Sequence, residues 1–283
     1  MSNPIFILST SPRTGSTWLQ RVLTSTGDIL IWGENTTLTF PYGDHWTPDI
    51  DVKDNNDLHF FKKHRANMRM ASISPFFTDV FNAQKVFLES LYSDTAKKEG
   101  FDRWGVKETY WTDITLKFIN WAWPDAKILF LTRRFTEAFS SNLKTSGWHN
   151  KYQTCCRRND VRSFCENWIR QVKMIVDYTK QPSNAKLLMY EDLVDNRTLL
   201  SSVCKELGLG PIVWALCGEI IGSARKTLRN DYTITDPADI CFITEYMIEI
   251  NSLSEKLGYK LPVIDLLKKG QLEEFLKKEQ ENE

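Results

Sequence analysis

A short apolar run, Pro4 to Leu8, leads into Thr10-Ser-Pro-Arg-Thr-Gly-Ser-Thr-Trp18 and then into Leu19, Gln20, Arg21, Val22 and Leu23, the opening of a helix. The order is strand, turn, helix. Successive backbone N–H groups and the positive end of the helix dipole make such a turn an anion site. The predicted partner is a phosphate or a sulfate.

The phosphate loop of nucleotide hydrolases reads G-x-x-x-x-G-K-[ST], with the lysine on the terminal phosphates and the hydroxyl on magnesium. Here Thr10 stands at the first glycine and Ser16 at the lysine, while Gly15 and Thr17 fit. The loop's one cation is Arg13, ahead of the glycine. That argues against an ATPase and for a ligand whose charge is met by side chains without a metal.

Composition bounds the rest. With 283 residues, 42% hydrophobic and 25% charged, the chain is long enough for one large domain with a substantial core. Net charge is zero, so no nucleic-acid or anionic-membrane surface is expected and any anion site must be local. No apolar run approaches the roughly 20 residues of a membrane span. No basic, apolar and small-residue leader precedes the first strand, so a cytoplasmic location is expected. The cysteines, Cys155, Cys156, Cys165, Cys204, Cys217 and Cys241, fit neither a disulfide framework nor a zinc spacing and read as reduced thiols. Oligomeric state is left open.

Apolar runs at Ile29–Trp32, Trp104–Val106, Ile128–Thr132 and Leu187–Tyr190 alternate with helical patterns near 16–25, 79–98, 112–122, 135–146, 160–180, 196–207 and 236–256. Alternation of this kind predicts an α/β fold: a single domain, 1–283, with a mostly parallel central sheet covered by helices on both faces. Ligands then bind at the carboxyl ends of the strands. Residues from about 40 to 70 lack a period and read as a lid or insertion, and the charged tail from about 268 to 283 reads as a solvated helix.

Pro12-Arg-Thr-Gly-Ser-Thr-Trp18 resembles the 5′-phosphosulfate loop of sulfotransferases, P-[KR]-[ST]-G-[ST]-T. Those enzymes use 3′-phosphoadenosine 5′-phosphosulfate (PAPS) as donor and release 3′-phosphoadenosine 5′-phosphate (PAP). The resemblance implies a P-loop-NTPase-like sulfotransferase fold and a donor site at Arg13, Thr14, Gly15, Ser16, Thr17 and Trp18, with Trp18 similar to the aromatic that stacks on adenine. It requires no metal.

Further segments follow in the family's order. Arg133 and Ser141 stand eight apart, as in the 3′-phosphate site of the family, although Arg134 and Phe135 occupy positions where Asp or Asn and Pro are frequent. Tyr190-Glu-Asp-Leu193 resembles the segment that supplies a tyrosine to the nucleotide, and Arg225-Lys226 resembles an R-K-G segment that closes on the 3′-phosphate, with Thr227 in place of its glycine. Trp104-Gly-Val-Lys107 resembles W-G-x-K, which implies that Lys107, with Arg13, steadies the sulfuryl group and the leaving phosphate.

Cytosolic members read K-T-H, with a histidine base two residues after the lysine. This chain has Thr109 there. Gly33-Glu34-Asn-Thr-Thr resembles instead the G-E-E-T segment of tyrosylprotein and bacterial sulfotransferases, which implies Glu34 as the base; Glu108, His45 and His149 compete. For the acceptor, the aromatic residues Phe40, Tyr42, Trp46, Tyr110, Trp111 and Trp148 are candidate pocket walls. With Asp44, Asp49, Asp51, Asp54 and Asp57 they suit a small, planar or cationic molecule, such as a guanidinium or carbamoyl alkaloid, modified at oxygen or nitrogen. The alternatives are a tyrosine or glycan sulfotransferase, a magnesium-dependent phosphotransferase and a non-catalytic nucleotide-binding module.

Overall fold

The side chains of Ile5 to Ser9 (β1) are all buried, as expected for a strand covered on both faces. β1 is the centre of a five-stranded sheet, β2-β3-β1-β4-β5, whose pairings are all parallel. The other strands are β2 (Ile29–Trp32), β3 (Arg103–Glu108), β4 (Lys127–Thr132) and β5 (Ala185–Met189). The computed structural model describes residues 3–34, 77–139, 141–142, 161–180, 184–217 and 237–259. Outside these lie the predicted lid at 40–70, the tail at 268–283, Arg225, Lys226, His45, His149, Phe40, Tyr42, Trp46, Trp148, the aspartates from Asp44 to Asp57, Cys155 and Cys156.

Because side chains alternate along a strand, β1 serves two cores. Ile5 and Ile7 pack with Leu19, Val22 and Leu23 of α1 (Ser16–Thr24) and with Leu200 and Val203 of α8 (Arg197–Glu206). Phe6 and Leu8 face the other way, among Trp104, Val106, Phe130 and the helices α2 (Phe77–Leu88) and α4 (Asp113–Ala122). A π turn, Glu89–Ser93, joins α2 to α3 (Asp94–Lys98). A third core joins a helical segment at 135–139 (α5) to α6 (Val161–Tyr178) and α9 (Pro237–Lys256).

The chain leaves β1 toward β2 on one side of the sheet, and later passes from β3 across β1 to β4 on the other. Such a reversal opens a crevice at the carboxyl ends of the central strands. Within the described residues, which include only 135–139 and 141–142 of the helix expected over 135–146, the predicted helices and strands agree with this architecture, with two differences. Tyr190 is the first residue of a short helix, α7 (Tyr190–Asp195), instead of the last of a strand, and the helix predicted over 79–98 contains the π turn. Among the described residues no helix is long and apolar enough to cross a membrane. Cys165, Cys204 and Cys217 are buried.

Candidate active site

The turn after β1 is built on two left-handed residues, Arg13 at φ 70° and Gly15 at φ 89°. Only glycine adopts this conformation freely; among the described residues Arg13 is the only other type that does so. Gly15 is also the N-cap of α1 and brings no side-chain acceptor to the first turn, so the positive end of that helix is left for an external anion. The Thr10 N–H donates to Leu131 O at 3.0 Å, which extends the pairing of β1 with β4 into the turn.

The hydroxyls of Thr10, Ser11 and Thr14 are buried and lack hydrogen-bond partners among the described residues. A buried polar atom without a partner costs about 1–3 kcal/mol, and three along one turn require a common explanation. Ser16 is buried at the start of α1, while Arg13 and Thr17 are exposed. The residues present therefore fit a phosphosulfate: free hydroxyls, an uncapped helix end and a cation.

Two later segments close on this turn. Arg133 follows β4, and its Nη1 donates to Arg13 O at 3.0 Å, while Nε and Nη2 donate to Glu137 Oε2 at 3.3 and 3.0 Å. Its guanidinium carbon lies 4.7 Å from the centre of the Tyr190 ring, a cation–π contact. Tyr190 in turn covers Gly15: a Cβ there would lie 2.3 Å from Cδ2 and Cε2 of the ring. Arg13 Nε donates to Ser141 Oγ at 3.4 Å. Arg13, Gly15, Arg133, Ser141 and Tyr190 are thus brought together from positions far apart in the chain.

Of the adjacent arginines, it is Arg133 that is buried and turned to the loop; Arg134 is more exposed and pairs with Glu137. Trp18 is only 8% exposed, packed in the core with its ring edge-on to Tyr190 at 6.3 Å.

Lys107 and Glu34 form an ion pair across the ends of β3 and β2. Pleating fixes their side of the sheet. A Cβ on Gly105 would touch Ile31 and Ile5, so Lys107, two residues on, faces the α1 side with them. Gln20 of α1 donates to Ile31 O at 2.7 Å and ties the end of β2, next to Glu34, to the same helix. The lysine side chain is 5% exposed and the glutamate 41%, so the pair presents its carboxylate to solvent.

Glu108, a competing base by sequence, faces the opposite side with Trp104 and Val106. It is 1% exposed, and its Oε1 accepts from the N–H groups of Thr109 and Tyr110 at 2.9 and 3.2 Å. Burial pushes its carboxyl above the ordinary range and the Glu34 charge adds to this, while the two amides and Lys107 oppose it. Its geometry is that of a brace for the turn after β3. Gln171 of α6 completes the brace by donating to Thr109 O at 3.1 Å. Trp111 is a core residue whose Nε1 donates to Ser9 O at 2.8 Å, so it is not a free pocket wall.

Sequence reasoning did not single out Glu137, Gln171 or Glu191. The spacing of Arg133 and Glu137 is a visible i,i+4 signal; the contact of Gln171 crosses 62 positions and has none.

The sequence matches the model of the sulfotransferase family over residues 4–211. No curated protein sequence matches the chain closely enough to stand as a relative. Solved structures share the fold. The sulfotransferase domain from the Synechococcus PCC 7002 olefin synthase is 19% identical, with a TM-score of 0.53 over 93% of this chain and 98% of that one. The sulfotransferase domain from the curacin biosynthetic pathway is 16% identical, with a TM-score of 0.55 over 92% and 99%. Since the family match runs from before the turn at Thr10–Gly15 to beyond Tyr190, taking in β1 to β5, this chain belongs to the sulfotransferase family.

Proposed function

We propose that the protein moves a sulfuryl group from PAPS to a hydroxyl or nitrogen of a small-molecule acceptor in the cytoplasm. The observation that carries the reading is the meeting of Arg13, Arg133, Ser141 and Tyr190 over a turn whose buried hydroxyls lack partners among the described residues. Two cations and three buried hydroxyls, with serine at the P-loop lysine position, suit a nucleotide that carries a phosphosulfate and a separate phosphate.

The bound donor supplies a sulfuryl group activated by a phosphate leaving group. Thr10, Ser11, Thr14 and the first turn of α1 hold the phosphosulfate end; Arg133 and Ser141 hold the separate 3′-phosphate. Glu34 takes the proton of the acceptor hydroxyl or amine, and its open carboxylate is accessible for that purpose. Lys107 and Arg13 steady charge developing on the transferred group and on the leaving phosphate. Arg225 and Lys226 join the 3′-phosphate site in this reading, and the acceptor is a planar or cationic molecule, of the guanidinium or carbamoyl alkaloid kind, held by the acidic and aromatic residues between 40 and 57.

The test is calorimetric binding of PAP in EDTA, with ATP and magnesium as the comparison. Tight metal-independent binding that weakens in Arg133→Ala is expected. No PAP binding beside clear binding of ATP with magnesium would overturn the proposal in favour of a phosphotransferase.

A further inference from the structure

Arg133 and Tyr190 meet because their neighbours are joined. β4 and β5 run in register as far as Thr132 opposite Met189, so the next residues, Arg133-Arg134 and Tyr190-Glu191, leave the sheet side by side. There the Arg134 N–H donates to Glu191 Oε1 at 3.0 Å. The second carboxylate oxygen, Oε2, accepts from Tyr259 Oη at 3.1 Å. One carboxylate thus bridges the end of β4 to Tyr259, three residues past α9, and the residue before Glu191 in the chain is the tyrosine stacked on Arg133 and Gly15.

Tyr259 is delivered by a helix end of defined geometry. Gly258 is left-handed at φ 89°. The Gly258 N–H donates to Glu255 O and the Tyr259 N–H to Ser254 O, both at 2.9 Å, the paired bonds of a Schellman motif. The motif folds Tyr259 back onto the core shared by Phe135, Phe139 and Trp168, where it is buried. Burial raises its hydroxyl pKa far above neutrality, with the charge of Glu191 adding to this, so Tyr259 acts as a fixed donor. Burial likewise pushes the Glu191 carboxyl up, opposed by the Arg134 amide and the Tyr259 hydroxyl.

We propose that Tyr259, acting through Glu191, is a positioning residue for the Arg133–Tyr190 clamp over the anion-binding turn. Tyr259 lies beyond residues 4–211, the part of the chain that the family match covers. The end of α9 therefore adds a support for the nucleotide clamp from outside that region. The inference rests on the reading of this clamp as part of the donor site.

The experiment measures PAP binding in EDTA by calorimetry, together with donor KM, acceptor KM and kcat. The proteins are the full chain and its variants Tyr259→Phe, Glu191→Gln, Glu191→Ala, Tyr259→Phe with Glu191→Ala, and Arg133→Ala. Loss of one hydrogen bond to a charged group predicts that Tyr259→Phe weakens PAP binding and raises donor KM about tenfold, with acceptor KM and kcat at saturating donor held. Glu191→Ala should weaken binding at least as much. Glu191→Gln keeps an oxygen for the Arg134 N–H and presents an amide to Tyr259, so it should stay within about threefold of the parent. The double variant should match Glu191→Ala alone, because the tyrosine acts through the carboxylate. Unchanged donor affinity in Tyr259→Phe, or additive losses in the double variant, would overturn the inference while a loss in Arg133→Ala upheld the donor site. Unchanged binding in Arg133→Ala would overturn the donor-site reading itself.

Discussion

Lys107 is nearly enclosed and Glu34 is open, yet the two charges are joined. The buried lysine holds Glu34 by Oε1, and the open carboxylate can meet an acceptor with Oε2 while the pair stays joined. Glu34→Gln keeps the shape and removes the base; turnover should fall by about 10²- to 10⁴-fold, with PAP affinity within a few-fold of the parent. Retained turnover would move the base elsewhere. Glu108 makes a separate prediction about stability. Its carboxyl is raised by burial, so between the ordinary glutamate value and the raised one the folded protein holds a proton that the unfolded chain has released. The contribution of Glu108 to stability is therefore fullest below the ordinary glutamate value and is lost as pH rises through that interval. Glu108→Gln keeps the acceptor for the Thr109 and Tyr110 amides and should flatten this slope in denaturation series run from pH 4 to 8, whereas an unchanged slope would assign it to other groups such as Glu191.

The element on which most of the site depends is the turn from Thr10 to Gly15, and its tightest point is the contact of Gly15 with Tyr190. Gly15→Ala must relieve a 2.3 Å clash with the ring and hold an alanine at φ 89°. A destabilisation of about 1–3 kcal/mol is expected from the backbone alone, read as a lower denaturation midpoint, together with weaker PAP binding as Tyr190 is displaced from Arg133. A variant that bound PAP normally would show that the ring's position is immaterial. This turn was legible in the sequence because strand, turn and helix are contiguous and each carries its own local signal. The other strands were legible for the same reason, as apolar runs between periodic helices. Helix α7 was not: six residues, Tyr190–Asp195, are too few for a period to show, and the run Leu187-Leu-Met-Tyr190 reads as a strand to its last residue. Glu191 shares the fate of contacts made across the fold. Its partners are a backbone amide 57 positions away and a hydroxyl 68 positions away, and neither leaves a trace in spacing.

For the molecule as a whole, the candidate site has no single owner. Arg13 comes from the turn after β1, Lys107 from β3, Arg133 from β4, Tyr190 from α7 at the end of β5, and the support at Tyr259 from beyond α9. The parallel sheet makes this possible, since its carboxyl ends all open on one edge and its order sets β3 and β4 on either side of β1. Once the anion-binding turn was recognised, the sequence already placed Arg13, Lys107, Arg133 and Tyr190 at strand ends; which of them touch depended on strand order, which no local pattern encodes. A ligand that bridges such elements binds only when they are assembled, so its binding energy adds to the stability of the whole fold. PAP at 100 times its dissociation constant should add about 2.7 kcal/mol, which for a domain of this size raises the thermal midpoint by about 4–5 °C. The shift should grow with the logarithm of PAP concentration, persist in EDTA and shrink in Arg133→Ala at the same PAP concentration. A midpoint indifferent to PAP at concentrations that saturate calorimetric binding would mean that the ligand sits on a part of the chain that unfolds separately from β1, β4 and β5, and the shared site described here would be wrong.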